Sequence, residues 1–449
     1  MAKKSKSNYV CNNCGAISAS WSGKCQQCGE WNTIIEQVTT MSIGGSSSSS
    51  GKIIQADTVK ASARKDQPRL ATKIPEIDNV FGGGVVPGSV NLIAGQPGIG
   101  KSTLLLQVAY EIAAHSSVLY ISGEESSHQI GLRAERLGVQ RSQLKIATSN
   151  SADDIAATIA SGSENLVIVD SIQTLVCSAI TSAAGTVSQI TNSTQLITLA
   201  AKQSNTAVII VGHVTKEGYI AGPKVLEHVV DVVLQLEGDR YGGFKLLRAV
   251  KNRFGSTDET GIFEMAEKGL LPVKNPSAAL LAERQASDGS VVLATLEGTR
   301  PLLVEVQALV NKTSYGYPKR AASGYDLNRL NLLIAMLERR SKLKLGEYDV
   351  YINIVGGMQI KEPAADLAIC MAIGSAAKGM QLKKNAVVFG EVGLSGEIRH
   401  VPYIERRIAE ASKLGFEGAI GPGQRTGKKI VNLMPVKDVR SALNQFLET

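Results

Sequence analysis

A glycine-rich segment near residue 100 constrains the fold of this chain more than any other feature of its sequence. Four residues separate its first glycine from a Gly-Lys-Ser triplet, and it lies between an apolar run, Val90–Ala94, and an amphipathic stretch, Thr103–Ala114. A strand, a loop and a helix in this order form the context of a phosphate-binding loop, whereas an incidental glycine-rich turn needs neither neighbour. The segment therefore predicts a P-loop formed by Gly95, Gln96, Pro97, Gly98, Ile99, Gly100, Lys101, Ser102 and Thr103.

The residue types in this loop predict ATP as its ligand, together with Mg²⁺. Glycines let backbone N–H groups approach phosphates, and the N-terminus of the following helix favours negative charge. Lys101 adds a positive charge near the β- and γ-phosphates, and Ser102 offers a hydroxyl to Mg²⁺.

Apolar runs and amphipathic stretches alternate on both sides of the loop. Buried parallel strands have continuous apolar sequences and are separated by helices, so this alternation predicts an α/β domain over residues 61–275. A second mixed domain is predicted over residues 276–449, because Pro272 and Pro276 mark a plausible boundary. The predicted strands are Val90–Ala94, Val118–Ser122, Leu166–Val169, Ala207–Val211 and Val229–Leu236, with a helix at Ser188–Ser204.

Two of these strands end in acidic residues. Leu166–Val169 is followed by Asp170, which is the position of a second Mg²⁺ ligand after a phosphate-binding loop. Val118–Ser122 leads to Glu124 and Glu125, and one of these carboxylates could polarise the attacking water as a general base. We assign Glu124, with Glu125 in reserve. The alternative is that both glutamates are solvated loop charges or helix caps.

Four cysteines near the N-terminus form two Cys-x₂-Cys pairs, Cys11 with Cys14 and Cys25 with Cys28. Four thiolates suit tetrahedral Zn²⁺ in a closed, structural site, and two matched pairs argue against a redox dithiol. The sequence predicts a zinc module over residues 1–35 and, from its Gly/Ser content, a flexible linker over residues 36–60. Trp21 and Trp31 are expected to fill the small module, or to face DNA or a protein partner.

Composition narrows the class of protein further. The 449 residues carry a net charge of +8, which suits a polyanionic partner, and 43% of them are hydrophobic. No run of eighteen apolar residues is present, and the N-terminus leads into cysteines rather than an apolar stretch. We therefore expect a cytoplasmic protein without a membrane partner.

Further segments resemble a known family. The order of phosphate loop, Glu-Glu strand and Asp strand is similar to that of the RecA/KaiC/DnaB-like ATPases. So is the approach segment from Thr72-Lys-Ile-Pro-Glu-Ile-Asp78 through Phe81-Gly-Gly-Gly84 to Pro87-Gly-Ser89. Lys251-Asn-Arg-Phe-Gly255 matches the signature pentapeptide of the bacterial RadA (Sms) family. The resemblance covers essentially the whole chain. It implies a RecA-like P-loop ATPase core with an N-terminal zinc module and a C-terminal Lon protease-like α+β domain.

The resemblance also implies roles for two cations and a histidine. Lys251 and Arg253 would reach the γ-phosphate of ATP bound to a neighbouring subunit, so the catalytic residues would be Lys101, Glu124, Lys251 and Arg253. From the sequence alone, the two cations could equally contact a DNA backbone or form a solvated strand end. His213 follows a strand where these ATPases have a γ-phosphate sensor, although a histidine there is often structural.

DNA contacts are expected from loops and basic residues. In RecA-like rings, segments corresponding to Ser178–Ser188 and to residues 216–227 face the pore. Further positive charge lies in Arg339–Lys344 and in Arg406–Arg407, and nothing resembles a base-reading helix. The candidate DNA-binding residues are Lys216, Lys224, Arg253, Lys312, Lys319 and Arg320.

The C-terminal segment resembles the proteolytic domain of Lon-type proteases but lacks its reactive pair. Ala364 stands where the family has the nucleophilic serine, and Glu405 stands where it has the lysine. Alanine has no nucleophile and glutamate cannot replace a neutral lysine as base, so we expect no peptide cleavage. The domain would instead serve as a scaffold for ring assembly or DNA contact.

Taken over from the family, the function is that of a branch-migration helicase. A homo-oligomeric, hexameric ring would bind single-stranded and branched DNA and process recombination intermediates during DNA repair, with RecA recombinase as a functional partner. The main alternative is an ATP-switched DNA-binding mediator that regulates a recombinase without translocating. An ATP-dependent protease is a third, which Ala364 and Glu405 disfavour.

Overall fold

In the computed structural model of the protein, the chain forms two structural units, residues 1–67 and residues 68–449. The structure describes residues 7–11, 16–18, 20–31, 33–38, 68–139, 141, 143–213, 225–238, 244–314, 316–423 and 431–448. The predicted linker lies mostly outside these ranges. Its first three residues, 36–38, belong to a strand, so the sheet of the zinc module extends beyond the predicted boundary at residue 35.

The N-terminal unit contains a small antiparallel sheet in the order β2-β1-β3. Its strands are β1 (Ser7–Cys11), β2 (Ile17–Ser18) and β3 (Ile34–Val38). Its core cluster consists of Cys11, Cys25 and Ile34, with a few half-buried neighbours. A core of this size contributes too little hydrophobic stabilisation to hold a fold without a metal or another cross-link.

A nine-stranded sheet organises the first part of the second unit, in the order β12-β11-β10-β9-β4-β8-β7-β5-β6. Strands β4 to β9 are parallel, and the last four run antiparallel from β9 to β12. The strands are β4 (Val90–Gly95), β5 (Val118–Ser122), β6 (Leu144–Thr148), β7 (Leu166–Asp170), β8 (Ala207–His213), β9 (Val232–Gly238), β10 (Phe244–Asn252), β11 (Thr260–Ala266) and β12 (Gly269–Pro272).

Helices cover both faces of this sheet, so its central strands are buried on both sides. Leu92 belongs to the core on one face and Ile93 to the core on the other. The last predicted strand began three residues too early, since residues 225–229 are helical. The helices are α1 (Pro75–Phe81), α2 (Lys101–Ile112), α3 (Ser127–Leu137), α4 (Ala152–Ala160), α5 (Val187–Ser204) and α6 (Val225–Val229).

A seven-stranded mixed sheet forms the remainder of the unit, in the order β15-β16-β14-β13-β18-β21-β22. Two short antiparallel pairs, β17 with β23 and β19 with β20, accompany it. The strands are β13 (Ser290–Glu297), β14 (Arg300–Lys312), β15 (Arg320–Ser323), β16 (Tyr348–Ile354), β17 (Gln381–Leu382), β18 (Ala386–Val388), β19 (Glu391–Val392), β20 (Ile398–Arg399), β21 (Gly418–Pro422), β22 (Leu433–Val436) and β23 (Leu447–Glu448). The helices are α7 (Pro276–Leu281), α8 (Leu327–Met336), α9 (Asp366–Lys378), α10 (Ile404–Lys413) and α11 (Val439–Phe446).

Ion pairs connect the two sheets within this unit. Arg248 on β10 bonds to Glu297 on β13, and Arg300 on β14 bonds to Glu76 on α1. Asn275 caps α7, which begins at Pro276, so the predicted boundary falls between the two sheets, and we propose the domain division there. Among the described residues, no helix is both long and apolar enough to span a membrane.

Candidate ATP and zinc sites

The glycine-rich segment forms the turn between β4 and α2. Gly98 and Gly100 both have positive φ, +78° and +114°. The φ of Gly100 is one that side-chain-bearing residues rarely adopt, so this position favours glycine for its conformation. The loop therefore presents backbone amides at the N-terminus of α2, which is the arrangement that binds phosphate.

Lys101 is buried beneath this loop. Its ammonium donates to the carbonyls of Gly95 at 2.9 Å and Gln96 at 3.0 Å, and it lies 3.1 Å from His213 Nδ1. Burial lowers the pKa of Lys101 to about 8, although Asp170 and Glu124 act in the opposite direction. A triphosphate would supply the negative charge that this buried cation lacks.

The two predicted Mg²⁺ ligands meet at one tyrosine. The hydroxyl of buried Tyr120 donates to Asp170 Oδ2 at 2.6 Å, and Tyr120 also hydrogen-bonds to the Ser102 side chain. Burial, followed by the Asp170 charge, raises the pKa of Tyr120 well above its usual value, so this hydroxyl remains a donor. A hydroxyl and a carboxylate held this close fit the oxygen ligands that Mg²⁺ prefers.

Glu124 faces the same space from the end of β5. Its Oε1 accepts a hydrogen bond from the Ser171 hydroxyl and lies 3.4 Å from His213 Nε2. Because a lysine ammonium can only donate, His213 accepts from Lys101 at Nδ1 and carries its proton on Nε2 toward Glu124. Glu124 is thus oriented by two donors, as a general base beside the γ-phosphate would need to be.

Glu125 points to a different partner. Its carboxylate forms an ion pair with Arg133 on α3, while its backbone N–H, like that of Glu124, donates to the Ser122 hydroxyl. Arg133 thus occupies the Glu125 carboxylate, whereas Glu124 faces His213 and, through it, Lys101. The geometry therefore favours Glu124 over Glu125 as the base.

A cleft of about 610 Å³ adjoins the first turn of α2. Its floor includes Thr103, and its walls come from Arg136 on α3 and Met265 on β11. Gln107 clips the β11–β12 hairpin to α2 by donating to Leu270 O and accepting from Leu270 N. Gln107, Arg136 and Met265 were not singled out from the sequence, since their proximity depends on the packing of the distant β11–β12 hairpin against α2.

The phosphate loop lies at the edge of the sheet formed by the carboxyl ends of the parallel strands. Lys251 and Arg253 lie at the opposite edge, formed by the amino ends of these strands. Arg253 pairs with Asp231 at 3.2 Å, and Asp231 Oδ2 accepts from Val90 N at 3.0 Å. Lys251 donates to the carbonyls of Glu227 and Val230. Since β4 starts at Val90 and ends at Gly95, about 16 Å of strand separates this cluster from the loop.

Asp231 is the buried centre of this cluster and was not singled out from the sequence. Besides Arg253 and Val90 N, it binds the Lys202 ammonium at 2.5 Å. Burial and then the neighbouring Arg253 charge lower the pKa of Lys251. Arg253 itself remains 56% exposed at its side chain. The half-buried Lys251 and the exposed Arg253 therefore both lie away from the chain's own nucleotide site.

Three of the four predicted zinc ligands converge in the N-terminal unit. The Sγ atoms of Cys11, Cys25 and Cys28 all lie within 4.8 Å of one another, and Cys14 falls outside the described residues. Hydrogen bonds from the backbone of Cys28 and then Gln27 lower the pKa of the Cys25 thiol. Converging thiolates fit the tetrahedral shell of a structural Zn²⁺ ion.

The Lon-like region contains a buried ion pair near Ala364, which stands where Lon-type proteases have their reactive serine. Ala364 is buried, its carbonyl accepts from Gly390 N, and Glu405 is exposed on α10. Arg407, which the sequence suggested as surface charge, is fully buried and pairs with Glu362. That expectation was wrong, because Arg407 lies on the face of α10 that packs inward and donates to Ala294 O, while Glu405 and Arg406 stay exposed.

The predicted DNA-binding residues are dispersed. Lys216 and Lys224 lie outside the described residues. Lys312 and Lys319 are exposed at the two ends of the segment between β14 and β15, beside Tyr317, which is 89% exposed. Arg320 donates to the carbonyls of Tyr348 and Leu345, so most of its guanidinium serves the fold.

Fold and site together define a RecA-like P-loop ATPase with a zinc ribbon and a Lon-like C-terminal domain, as the sequence predicted. An AAA domain model matches residues 55–219, a rubredoxin metal binding domain matches residues 9–36, and subunit ChlI of Mg-chelatase matches residues 332–425. Relatives that are 46% identical over nearly the whole chain show that it belongs to the RadA family. Its recognised cofactors are ATP, Mg²⁺ and Zn²⁺.

The relatives that support membership of the RadA family match this chain over nearly its whole length. The DNA repair protein RadA of Halalkalibacterium halodurans is 46% identical over 100% of both chains. Those of Bacillus subtilis and Pseudomonas aeruginosa are also 46% identical, over 99% of this chain and 99% and 100% of theirs. A crystal structure of the RadB recombinase aligns with 46% of this chain and 100% of its own at 22% identity. Its TM-score of 0.36 is too low to support an inference.

Nucleotide binding should take up a proton at alkaline pH. The Lys101 ammonium, whose pKa is about 8, is partly neutral above pH 8, and the phosphates of ATP restore its charge. Proton uptake should therefore grow as the pH rises from 7 to 9. Calorimetry in buffers of different ionisation enthalpy measures it. Lys101→Arg keeps its charge throughout this range and should lose the uptake; equal uptake by the variant would assign it to another group.

Zinc content should depend on Cys25 and not on Cys177. The wild-type chain is expected to hold about one Zn²⁺, and Cys25→Ser should lose it because serine offers no thiolate. Cys177 is buried in the core of the ATPase sheet, so Cys177→Ser is the matched control and should retain the metal. Metal analysis of the purified proteins decides; full zinc in Cys25→Ser would contradict the site.

Proposed function

We propose that this protein is an ATP-driven DNA motor, a branch-migration helicase that works as a ring of identical subunits, a hexamer. The observation that carries the proposal is the position of Lys251 and Arg253. Both cations lie too far from the chain's own phosphate loop to serve it, and Arg253 is exposed. A neighbouring subunit that places its own loop against this edge would receive them.

In this proposal each nucleotide lies between two subunits. Gly95–Thr103 and Lys101 bind the phosphates, and the cleft beside Thr103 offers space for the nucleoside. Ser102 and Asp170 would hold Mg²⁺, which would neutralise charge on the phosphates. Glu124 takes the proton of the attacking water, while Lys251 and Arg253 of the adjacent subunit stabilise charge developing on the γ-phosphate. His213 links Lys101 to Glu124 and would sense the γ-phosphate.

Single-stranded DNA is the proposed track. Ser178–Ser188 and the segment containing Lys216 and Lys224 would line the ring, and Lys312 and Lys319 would bind phosphates on the C-terminal domain. Arg320 would contribute less, since its guanidinium already bonds to two carbonyls. Because phosphate contacts dominate such binding, the affinity should fall steeply with salt.

The relatives named DNA repair protein RadA support a role in recombination and repair. The substrate would be a branched recombination intermediate, the functional partner RecA recombinase and the location the cytoplasm, where its expression would serve the response to DNA damage and other stress. The C-terminal domain would act as a scaffold without proteolysis, because Ala364 offers no nucleophile and Glu405 is a solvated carboxylate.

Branch movement in a synthetic three-stranded intermediate tests this function. The branch should move with ATP and not with a non-hydrolysable analogue. Lys101→Ala and Lys251→Ala should both fail, while Lys251→Ala still binds nucleotide. Lys202→Ala is the matched control, because it loses an ion pair to Asp231 without removing a catalytic cation. If DNA binds in an ATP-dependent way but the branch never moves, the protein is an ATP-switched mediator.

A further inference from the structure

Both tryptophans of the chain lie in the zinc module, and both are exposed. Trp21 is 62% and Trp31 68% exposed, although tryptophan is usually among the more buried residues. From the sequence, the two tryptophans could either fill the small module or face DNA or a protein partner. The core cluster of the module contains Cys11, Cys25 and Ile34, so the two indoles remain free for another role.

The two rings flank one glycine. A Cβ at Gly23 would lie 3.8 Å from the Trp31 ring and 4.0 Å from the Trp21 ring, so the indoles are close neighbours with no side chain between them. The Lys24 ammonium lies 5.5 Å from the centre of the Trp31 ring. Two aromatic faces and a cation therefore share one small surface, which we call the Trp21–Trp31 surface.

The zinc knuckle fixes half of this surface. Lys24 and Trp31 form an antiparallel bridge on either side of the loop that carries Cys25 and Cys28. Cys25 N donates to Glu30 O at 2.9 Å, and Gly29 N donates to Cys25 O at 2.9 Å. A metal that closes this loop would therefore hold the Trp31 backbone in place.

The surroundings of the indoles favour a nucleic acid over a protein. Protein-binding tryptophans usually lie within a larger apolar patch. Among residues 9, 11, 16, 18, 20–31, 33 and 34, whose side chains the structure describes in this unit, no other large hydrophobic side chain is exposed. The neighbours in sequence are Ser20, Ser22, Lys24, Gln26 and Gln27. Isolated aromatic rings beside a cation are typical of surfaces on which bases stack while a lysine meets the phosphate.

We propose that the Trp21–Trp31 surface is a stacking platform for unpaired bases of single-stranded DNA, with Lys24 as its phosphate contact. The proposal rests on the DNA-binding function proposed above and adds a DNA-binding site in the zinc module. Every base has a π face, so the platform would bind without sequence preference and would depend on the zinc ion.

Intrinsic fluorescence of the full-length protein tests the platform directly, since its tryptophans report on this surface alone. Oligo-thymidylate should quench the emission, whereas an abasic oligonucleotide of equal length and charge should not. Chelation of zinc should abolish the quenching. In fluorescence anisotropy, Trp21→Ala combined with Trp31→Ala should weaken binding of oligo-thymidylate by roughly 5- to 100-fold. Zinc content of the variant shows that the module is intact.

The outcomes separate this platform from the motor. If the wild-type protein binds oligo-thymidylate while its tryptophan emission is unchanged and the double variant binds equally well, the platform is wrong and the proposed function stands. If those variants keep full DNA affinity but lose repair activity in cells, the surface binds a protein, which also overturns the proposal. If the wild-type protein does not bind single-stranded DNA at all, the proposed function itself fails.

Discussion

Glu124→Gln is expected to lower the rate of ATP hydrolysis by about 10²–10⁴-fold while nucleotide affinity stays near that of the wild-type protein. The substitution preserves the size of the side chain and its contacts with Ser171 and His213, but an amide cannot accept the proton of the attacking water. Steady-state hydrolysis and equilibrium binding of a fluorescent nucleotide measure the two effects separately.

Glu125→Gln is the matched control for this experiment. It removes an ion pair with Arg133 on a partly exposed helix, for which we expect only a small loss of activity. If Glu125→Gln instead causes the larger fall in hydrolysis, the base is Glu125 and the orientation of Glu124 toward His213 serves another purpose.

Lys251→Ala should lower hydrolysis by the assembled protein on the order of 10³-fold, which is the scale of cations supplied by a neighbouring molecule in phosphoryl transfer. Nucleotide binding to the isolated chain should not change, because Lys251 lies across the sheet from the phosphate loop. The measurement is hydrolysis as a function of protein concentration, together with nucleotide affinity at a concentration where the protein is monomeric.

Lys202→Ala controls for damage to the cluster around Asp231. Lys202 and Arg253 both pair with this buried carboxylate, so Lys202→Ala perturbs the cluster while leaving Lys251 and its contacts with Glu227 O and Val230 O in place. If Lys202→Ala lowers hydrolysis as much as Lys251→Ala does, the cluster maintains the fold and the catalytic role of Lys251 is wrong.

The ATPase fold could be predicted because its signals are local. Val118–Ser122 is a continuous apolar run, and the structure has a strand with the same bounds. The phosphate loop likewise combines a strand, glycines and a helix within fifteen residues. The prediction failed where the local signal was ambiguous. Val229 is as apolar as the strand that follows, but it ends a short helix, and the strand begins only at Val232. The carbonyls of Glu227 and Val230 bind Lys251.

The parts that could not be predicted depend on pairing between distant segments. In the sequence, Tyr120 is one of several residues in an apolar strand. Only the pairing of β5 with β7 brings its hydroxyl to Asp170. The sequence indicates a surface charge at Arg407, but in the structure this buried residue pairs with Glu362, 45 positions away. Asp231 has partners that come from three different elements. None of these contacts leaves a periodic pattern in the sequence.

Mixing two inactive variants tests most directly whether neighbouring subunits share each ATP site. Glu124→Gln lacks the base and Lys251→Ala lacks the trans cation, yet a site formed by the loop of the second and the cation of the first would be complete. In rings assembled from equal amounts of both, about one quarter of the head-to-tail interfaces should be complete. The account predicts that hydrolysis recovers toward this fraction of the wild-type rate. A mixture that stays as inactive as its components, although mixed rings form, would contradict it.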